Sequence, residues 1–249
     1  MRTIVIYPGR FHPFHRGHKA SYDYLVQQFG AGNVFIATSD VQAPVTSPFS
    51  YSDKVTMMSK LGVPSGRIAR VKSPYQATEI TGQIDDKEHT ALIFAVSEKD
   101  MQGDTARFKF GTKKNGEPSY MQPMPVAGKL QPMSKHAYVM ITPTVNFKVK
   151  GADANSASQI RKLYLDGNDA DRDQIIADLY GEVEPHIRDI FDQRLAVTQN
   201  TQNLVAEARI KNPGRAVALL EAISRLEKTA NYIEFEDLSL DYINEKLSR

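Results

Sequence analysis

Cysteine and tryptophan are both absent from the 249 residues. Without cysteine there is no disulfide framework, no thiolate nucleophile and no cysteine-ligated zinc. Long apolar runs are missing too: none approaches the roughly 18 residues of a membrane-spanning helix, and the opening Met1–Arg10 is not apolar enough for a secretory signal. A soluble cytoplasmic protein, with no membrane partner, is therefore expected. An excess of one charge is also lacking. With 31 Lys and Arg against 29 Asp and Glu the net charge is +2, which argues against a general nucleic-acid-binding surface. What is present is 41% apolar residues over a length that allows one large domain, or a domain with an appendage, around a sizeable core.

The even balance hides an asymmetry. Residues 1–150 carry 19 Lys and Arg against 11 Asp and Glu, a net of +8, and residues 151–249 carry 12 against 18, a net of −6. A basic half suits phosphate-bearing ligands, whereas an acidic half suits a solvated face or a partner surface.

Thr3–Tyr7 is a short β-branched run closed by Pro8 and Gly9, which predicts a buried strand and a sharp loop. His18, Tyr22, Leu25, Val26 and Phe29 then recur at helical spacing up to Gly30. Val34–Thr38 predicts a second strand one helix later, as a right-handed parallel crossover requires. Beyond a Pro- and Ser-rich loop at 42–51, Ser52 is expected to cap a helix carrying Val55, Met58 and Leu61, before a strand at Ile68–Val71. Residues 75–90 are polar and ambiguous, with a helix as the candidate element, and Ala91–Val96 reads as a central parallel strand. From Gln102 to Lys135 Gly, Pro, Lys and Met break the pattern. The Lys114-Asn115-Gly116 turn there, flanked by Phe108, Phe110 and Tyr120, predicts a hairpin or flexible insertion over the sheet edge.

Strands are expected again at Tyr138–Ile141 and Val145–Val149, and helices at 156–166, 171–180, 183–199, 202–211, 214–230 and 236–247. The expected fold is α/β: a Rossmann-like, mostly parallel sheet with helices on both faces over residues 1–168, followed by an all-helical region over 169–249.

The densest chemistry lies between Gly9 and His18. His12, His15 and His18 stand beside Arg10 and Arg16 at the junction of the first strand and first helix. That junction is the carboxyl edge of a parallel sheet, where open α/β folds bind ligands and a helix N-terminus offers unpaired N–H groups. His15 and His18 can face one ligand, with Gly17 letting a phosphate approach the backbone and Arg10 gripping phosphate through two N–H groups. Zinc is a competing use of clustered histidines, but no carboxylate stands before Asp23 to complete a set of ligands. Purely structural histidines are the other alternative.

Gly9 through His18 resembles the signature of the nucleotidyltransferase superfamily, whose hallmark His-x-Gly-His is here His15-Arg16-Gly17-His18. With Gly9, Arg10 and Phe11 in front, it is most similar to the archaeal-type nicotinamide-nucleotide adenylyltransferases and their bifunctional bacterial relatives. Ser156-Ala157-Ser158-Gln159-Ile160-Arg161 resembles the second superfamily motif, which opens a late helix. Two hydroxyls at a helix start can cap it and donate to phosphate, and Arg161 adds a fixed cation. Ser47 to Val55, containing Phe49 and Lys54, looks like the Asn-Pro-Phe-Thr segment of the same adenylyltransferases. The three motifs fall in register across residues 1–165.

The departures concern the acceptor. His12 stands where relatives carry Gln or Asp, Ser158 replaces Thr, Lys54 replaces Arg and Asn155 replaces Ile, while Ser97–Asp100 departs from the acceptor-binding turn expected after the central strand. Pro132–His136 shares a Met-Ser-Lys core with the phosphate loop of class I aminoacyl-tRNA synthetases, but the chain is small for such an enzyme; a loop lysine reaching phosphate is the expectation kept from it.

The resemblance implies transfer of AMP from ATP to a phosphorylated small molecule, nicotinamide mononucleotide favoured, with release of pyrophosphate. It implies His15, His18 and Arg161 as catalytic residues, with Gly9, Arg10, Phe11, Gly17, Ser156 and Ser158 on the nucleotide. Phe49, Lys54 and Asp100 are candidate acceptor contacts. Magnesium would accompany the triphosphate without a dedicated protein cage. A cytidylyltransferase acting on another acceptor and an inactive nucleotide-binding scaffold are the alternative readings. Apolar positions along the tail, Leu204 to Phe235, suit a helical bundle or a homo-oligomer interface.

Overall fold

The computed structural model describes residues 1–103, 106–126, 128–153, 156–211 and 213–229. The helix expected over 236–247 and Asn155 lie outside them. The chain divides into two compact units, which interleave in sequence: Met1–Arg10, His15–Ser39 and Leu61–Phe147 form the first, and Phe11–Phe14, Asp40–Lys60 and the chain from Lys148 onward form the second.

The first unit is a six-stranded sheet. Its strands are β1 (Arg2–Pro8), β2 (Val34–Thr38), β3 (Ile68–Arg70), β4 (Thr90–Val96), β5 (Met121–Pro123) and β6 (Ala137–Ile141), in the order β3-β2-β1-β4-β6-β5. Every neighbouring pair is parallel. All seven residues of β4 are buried, which is why its sequence is a continuous apolar run rather than an alternating one. Ile4, Ile6, Leu92, Phe94 and Val96 share one core cluster. Helix α1 (Arg16–Phe29) buries Tyr22 and Leu25 and stops at Gly30, whose φ of 84° suits glycine and whose N–H closes on Val26.

Between β3 and β4 the polar stretch yields one short helix, Thr78–Thr81.

Two expectations about strands need correction. The 102–135 stretch does form a turn at Gly116, with a single antiparallel bridge between Thr112 and Pro118. It then supplies β5, a parallel edge strand that its polar, Pro-containing sequence conceals. The strand expected at 145–149 does not join the sheet. Thr142 makes the last bond to Val96 (2.8 Å), Pro143 cannot donate, and only Lys148–Val149 (β7) pairs, antiparallel with Ala152–Asp153 (β8), in the second unit.

The second unit contains α2 (Tyr51–Lys60), α4 (Ala157–Asp166), α5 (Asp169–Tyr180), α6 (Pro185–Lys211) and α7 (Pro213–Thr229), the short Thr78–Thr81 helix being α3. Its core packs tilted aromatic rings together, with Phe49 4.9 Å and Tyr164 5.1 Å from Phe191. Polar anchors tie the early segments to the helices. Tyr180 donates to the Phe14 carbonyl (2.7 Å), Thr198 donates to the Pro44 carbonyl, and Arg194 pairs with Asp53 (2.8 Å).

Ser50, not Ser52, caps α2: its hydroxyl accepts the Asp53 N–H (3.1 Å) while Asp53 accepts the Ser50 N–H (2.8 Å). The two helices expected at 183–199 and 202–211 are one. Across the polar join Thr198 and Thr201 are buried, with the Thr198 hydroxyl on the Pro44 carbonyl and the Thr201 hydroxyl on the Val197 carbonyl, so the join packs inward instead of opening into a loop.

Candidate active site

In the sheet order, the chain leaves β1 toward β2 and β3 on one side and reaches β4 on the other, so the crevice between the carboxyl ends of β1 and β4 is a topological switch point. The residues after β1 stand there. Gly9 prolongs the strand pairing by donating to the Ala37 carbonyl (3.0 Å), and exposed Arg10 follows, its carbonyl accepting from the Thr38 hydroxyl (3.5 Å).

His15 is itself the N-cap of α1. Its backbone is extended, and its Nδ1 accepts the Gly17 N–H at 3.1 Å. This does the work usually done by Ser or Asp, and it fixes the tautomer: Nδ1 holds a lone pair, so the neutral ring carries its proton on Nε2. The His18 ring lies one turn along, with centroids 3.8 Å apart, and Phe147 covers the other partner at 4.4 Å from His15. A Cβ on Gly17 would stand 3.0 Å from His15 Cε1 and 3.0 Å from Phe147 Cδ1. Glycine at this position therefore makes room for the His15 ring as well as exposing backbone.

Burial holds both imidazoles neutral at ordinary pH. His15 is lowered well below its usual range by desolvation and then by His18, and His18 is lowered to about 4 by desolvation against the opposing charge of Asp100. The pair thus offers hydrogen-bond donors rather than cations.

Asp100 lies just after β4, in a short 3₁₀ turn, Glu98–Met101. Its carboxylate accepts from the Ser97 hydroxyl (2.6 Å), the Ser97 N–H (3.3 Å) and the Tyr75 hydroxyl (2.9 Å). It is an anchored negative charge beside His18, and burial together with that charge pushes Tyr75 up to about 12. Tyr75 and Phe147 carried no motif and were missed; only their positions after a strand end signalled them. The Met133-Ser134-Lys135 loop is a correction. Met133 and Ser134 donate to the carbonyls of Thr90 (2.7 Å) and Lys87 (3.3 Å), at the amino end of β4. In a parallel sheet that is the end opposite His15, so Lys135 does not serve the phosphate site expected of it.

The second unit gathers the other motif residues. Phe11 adopts a left-handed backbone (φ 53°) rare for an aromatic residue, and is buried edge-on to Phe14 at 5.3 Å. His12, where relatives carry Gln or Asp, accepts the Phe49 N–H on Nδ1 (3.3 Å) and stacks on the Phe49 ring. Phe49 is wholly buried, a core residue of this unit. Lys54 is also wholly buried; desolvation lowers it to about 8 against the opposing charges of Asp40 and Asp53.

Ser156 caps α4 by accepting the Gln159 N–H (3.2 Å), with the Ser158 hydroxyl 3.1 Å away. Arg161 is buried and donates to the carbonyls of His12 (2.6 Å) and Val45 (3.2 Å), so this cation braces the loop that follows β1. Among the described residues no three His, Asp or Glu side chains gather into a metal-binding group.

Comparison with known proteins gives three results. Residues 6–107 match the cytidylyltransferase-like family. A nicotinamide-nucleotide adenylyltransferase from Methanocorpusculum labreanum is 34% identical over 55 residues, 22% of this chain and 33% of that protein. The crystal structure of a bifunctional NMN adenylyltransferase/ADP ribose pyrophosphatase from Francisella tularensis superposes with a TM-score of 0.50 at 14% identity, over 84% of this chain and 56% of that one. The chain thus spans about a third of the curated relative it matches and just over half of the solved one. The structural likeness bears on the fold: an α/β, Rossmann-like sheet followed by helices. The stretch that matches the cytidylyltransferase-like family spans the strand-to-helix junction with His15, Gly17 and His18.

Proposed function

We propose that this protein is an adenylyltransferase: a phosphate oxygen of the acceptor attacks the α-phosphorus of ATP, the bond between the α- and β-phosphates breaks, and pyrophosphate leaves. The observation that carries the reading is the close, neutral His15–His18 pair, its rings tilted by 32° with centroids 3.8 Å apart, at the α1 N-terminus and the switch point of the sheet. Such chemistry asks for alignment and for donors at oxygens that gain charge, with little proton transfer. Two N–H donors that stay uncharged across the working pH range answer that need.

In this reading His15 Nε2–H and His18 donate to the phosphoryl oxygens in the transition state. Gly9, Phe11 and Gly17 shape the nucleotide-binding loop, Arg10, Ser156 and Ser158 act on the β- and γ-phosphates, and Arg161 serves catalysis through the loop it braces. Magnesium bound with the triphosphate would neutralise its oxygens. Nicotinamide mononucleotide is the favoured acceptor, supported by the name of the curated relative. Asp100 acts toward that acceptor from beside His18, Lys54 from its buried place near Asp40 and Asp53, and Phe49 by supporting His12. The catalytic region is taken to end near residue 168, with the helices beyond it serving homo-oligomeric assembly. No helix of the described residues is long and apolar enough to cross a membrane, and we place the protein in the cytoplasm.

Pyrophosphate release tests the reading, with ATP and CTP each offered against nicotinamide mononucleotide and a panel of other phosphorylated small molecules. ATP-dependent release with at least one acceptor is expected. Release only with CTP identifies a cytidylyltransferase, and ATP binding without release across the panel identifies a scaffold.

A further inference from the structure

The 102–135 stretch, most of it beyond the matched residues 6–107, takes the place where a helix would ordinarily cover β4 and β6. It covers them incompletely. Phe108 packs on Phe94 with ring centroids 5.2 Å apart, Met133 is buried in the same cluster, and between these residues and the turn before α3 a cavity of about 670 Å³ stays open. Leu92, Phe94, Phe108, Met121 and Met133 form its apolar lining. Protein interiors are packed to near-crystalline density with few voids larger than water, and ligand pockets fall in the range of about 300–1,000 Å³ with apolar, aromatic walls and a few placed polar groups. This cavity has those proportions.

Its charge has one sign. Arg107 and Lys87 both line the cavity, and among the described residues no lining residue is acidic. Arg107 lies over the Tyr75 ring at 4.9 Å, its backbone N–H held by the Asp100 carbonyl (2.7 Å), and the Tyr75 hydroxyl is held by Asp100 (2.9 Å). Tyr120, on the opposite wall, is held through its hydroxyl by the Met133 carbonyl (2.7 Å). The aromatic groups are therefore set before any ligand arrives. We propose that this cavity binds a small amphiphilic anion, a flat aromatic body carrying one negatively charged group, at a site distinct from the His15–His18 pair. The rings and methionines take the aromatic body by burial and stacking, and Arg107 takes the anionic group. The inference stands on the geometry of this cavity and is independent of the nucleotidyl-transfer reading.

Two fluorescent probes test it on the full-length chain: 8-anilinonaphthalene-1-sulfonate, which has this shape and charge, and uncharged N-phenyl-1-naphthylamine. The sulfonate is expected to saturate at one equivalent. Arg107→Glu should weaken it about tenfold or more, the size of one partly exposed charge contact, while leaving the neutral probe within about twofold. Thr81→Trp, which fills the cavity from α3, should remove both. Binding that never saturates, or sulfonate affinity unchanged in Arg107→Glu, overturns the proposal. Because Arg107 is exposed, that variant decides the question even if Thr81→Trp lowers the melting temperature.

Discussion

Gly17→Ala separates the two demands placed on the start of α1. The backbone there is not left-handed, so alanine adopts it without strain. On helix propensity alone the change would stabilise by at most about 1 kcal/mol, less at a first-turn position. The new methyl, however, falls 3.0 Å from His15 Cε1, 3.1 Å from its Nδ1 and 3.0 Å from Phe147 Cδ1. The ring must shift by several tenths of an ångström and weaken its bond to the Gly17 N–H. Losing the cap costs about 1 kcal/mol and crowding a packed contact about 1–3 kcal/mol. The net expectation is destabilisation by about 1–4 kcal/mol, a fall in melting temperature of about 2–16 °C for a chain of this size.

Turnover should suffer far more, by about a hundredfold, because a displaced donor no longer meets the oxygen it stabilises. Thermal melting and pyrophosphate release on the same preparation read both. A variant with a raised melting temperature and undiminished turnover would show that the methyl is accommodated, and would refute the reasoning.

Protonation gives a second prediction. Because the folded values of His15 and His18 lie below those of the unfolded chain, the unfolded state binds more protons over the interval between them. Stability should be flat above about pH 6.5 and fall as pH drops below it, the share due to His18 being lost by about 4; the slope is at most about 1.4 kcal/mol per pH unit for each histidine, and urea titrations of His18→Gln should show a shallower loss. Lys54, lowered to about 8, should add stability as pH rises from about 8 toward 9.5, a gain that Lys54→Met abolishes in the same assay. Arg161→Lys replaces a guanidinium that reaches two carbonyls at once by a single point donor, and should cost about 2 kcal/mol in stability, read as a lower melting temperature.

The sheet was largely legible because its strands are buried on both faces: Val34–Thr38 and Thr90–Val96 declare themselves as apolar runs, and Gly30 ends α1 where predicted. What escaped was structure made by context. β5 is three residues ending in Pro123 and exists because β6 offers an edge, and α6 passes through a polar stretch because Thr198 and Thr201 are buried with carbonyl partners for their hydroxyls.

In the site, residue types and spacing marked His15, Gly17 and His18, but three features have no sequence signal. His15 caps its own helix, Gly17 yields space to the neighbouring ring, and Arg161 spends two donors on loop carbonyls. Each arises when distant segments are packed together.

The central claim is that His15 and His18 act on charge developing in nucleotidyl transfer. Its most direct test is His18→Ala, with pyrophosphate release measured beside ATP affinity. The account predicts turnover reduced by about a hundredfold or more with the ATP dissociation constant within a few-fold of the wild type, since the lost interaction belongs to the transition state. Turnover that survives the substitution would contradict it.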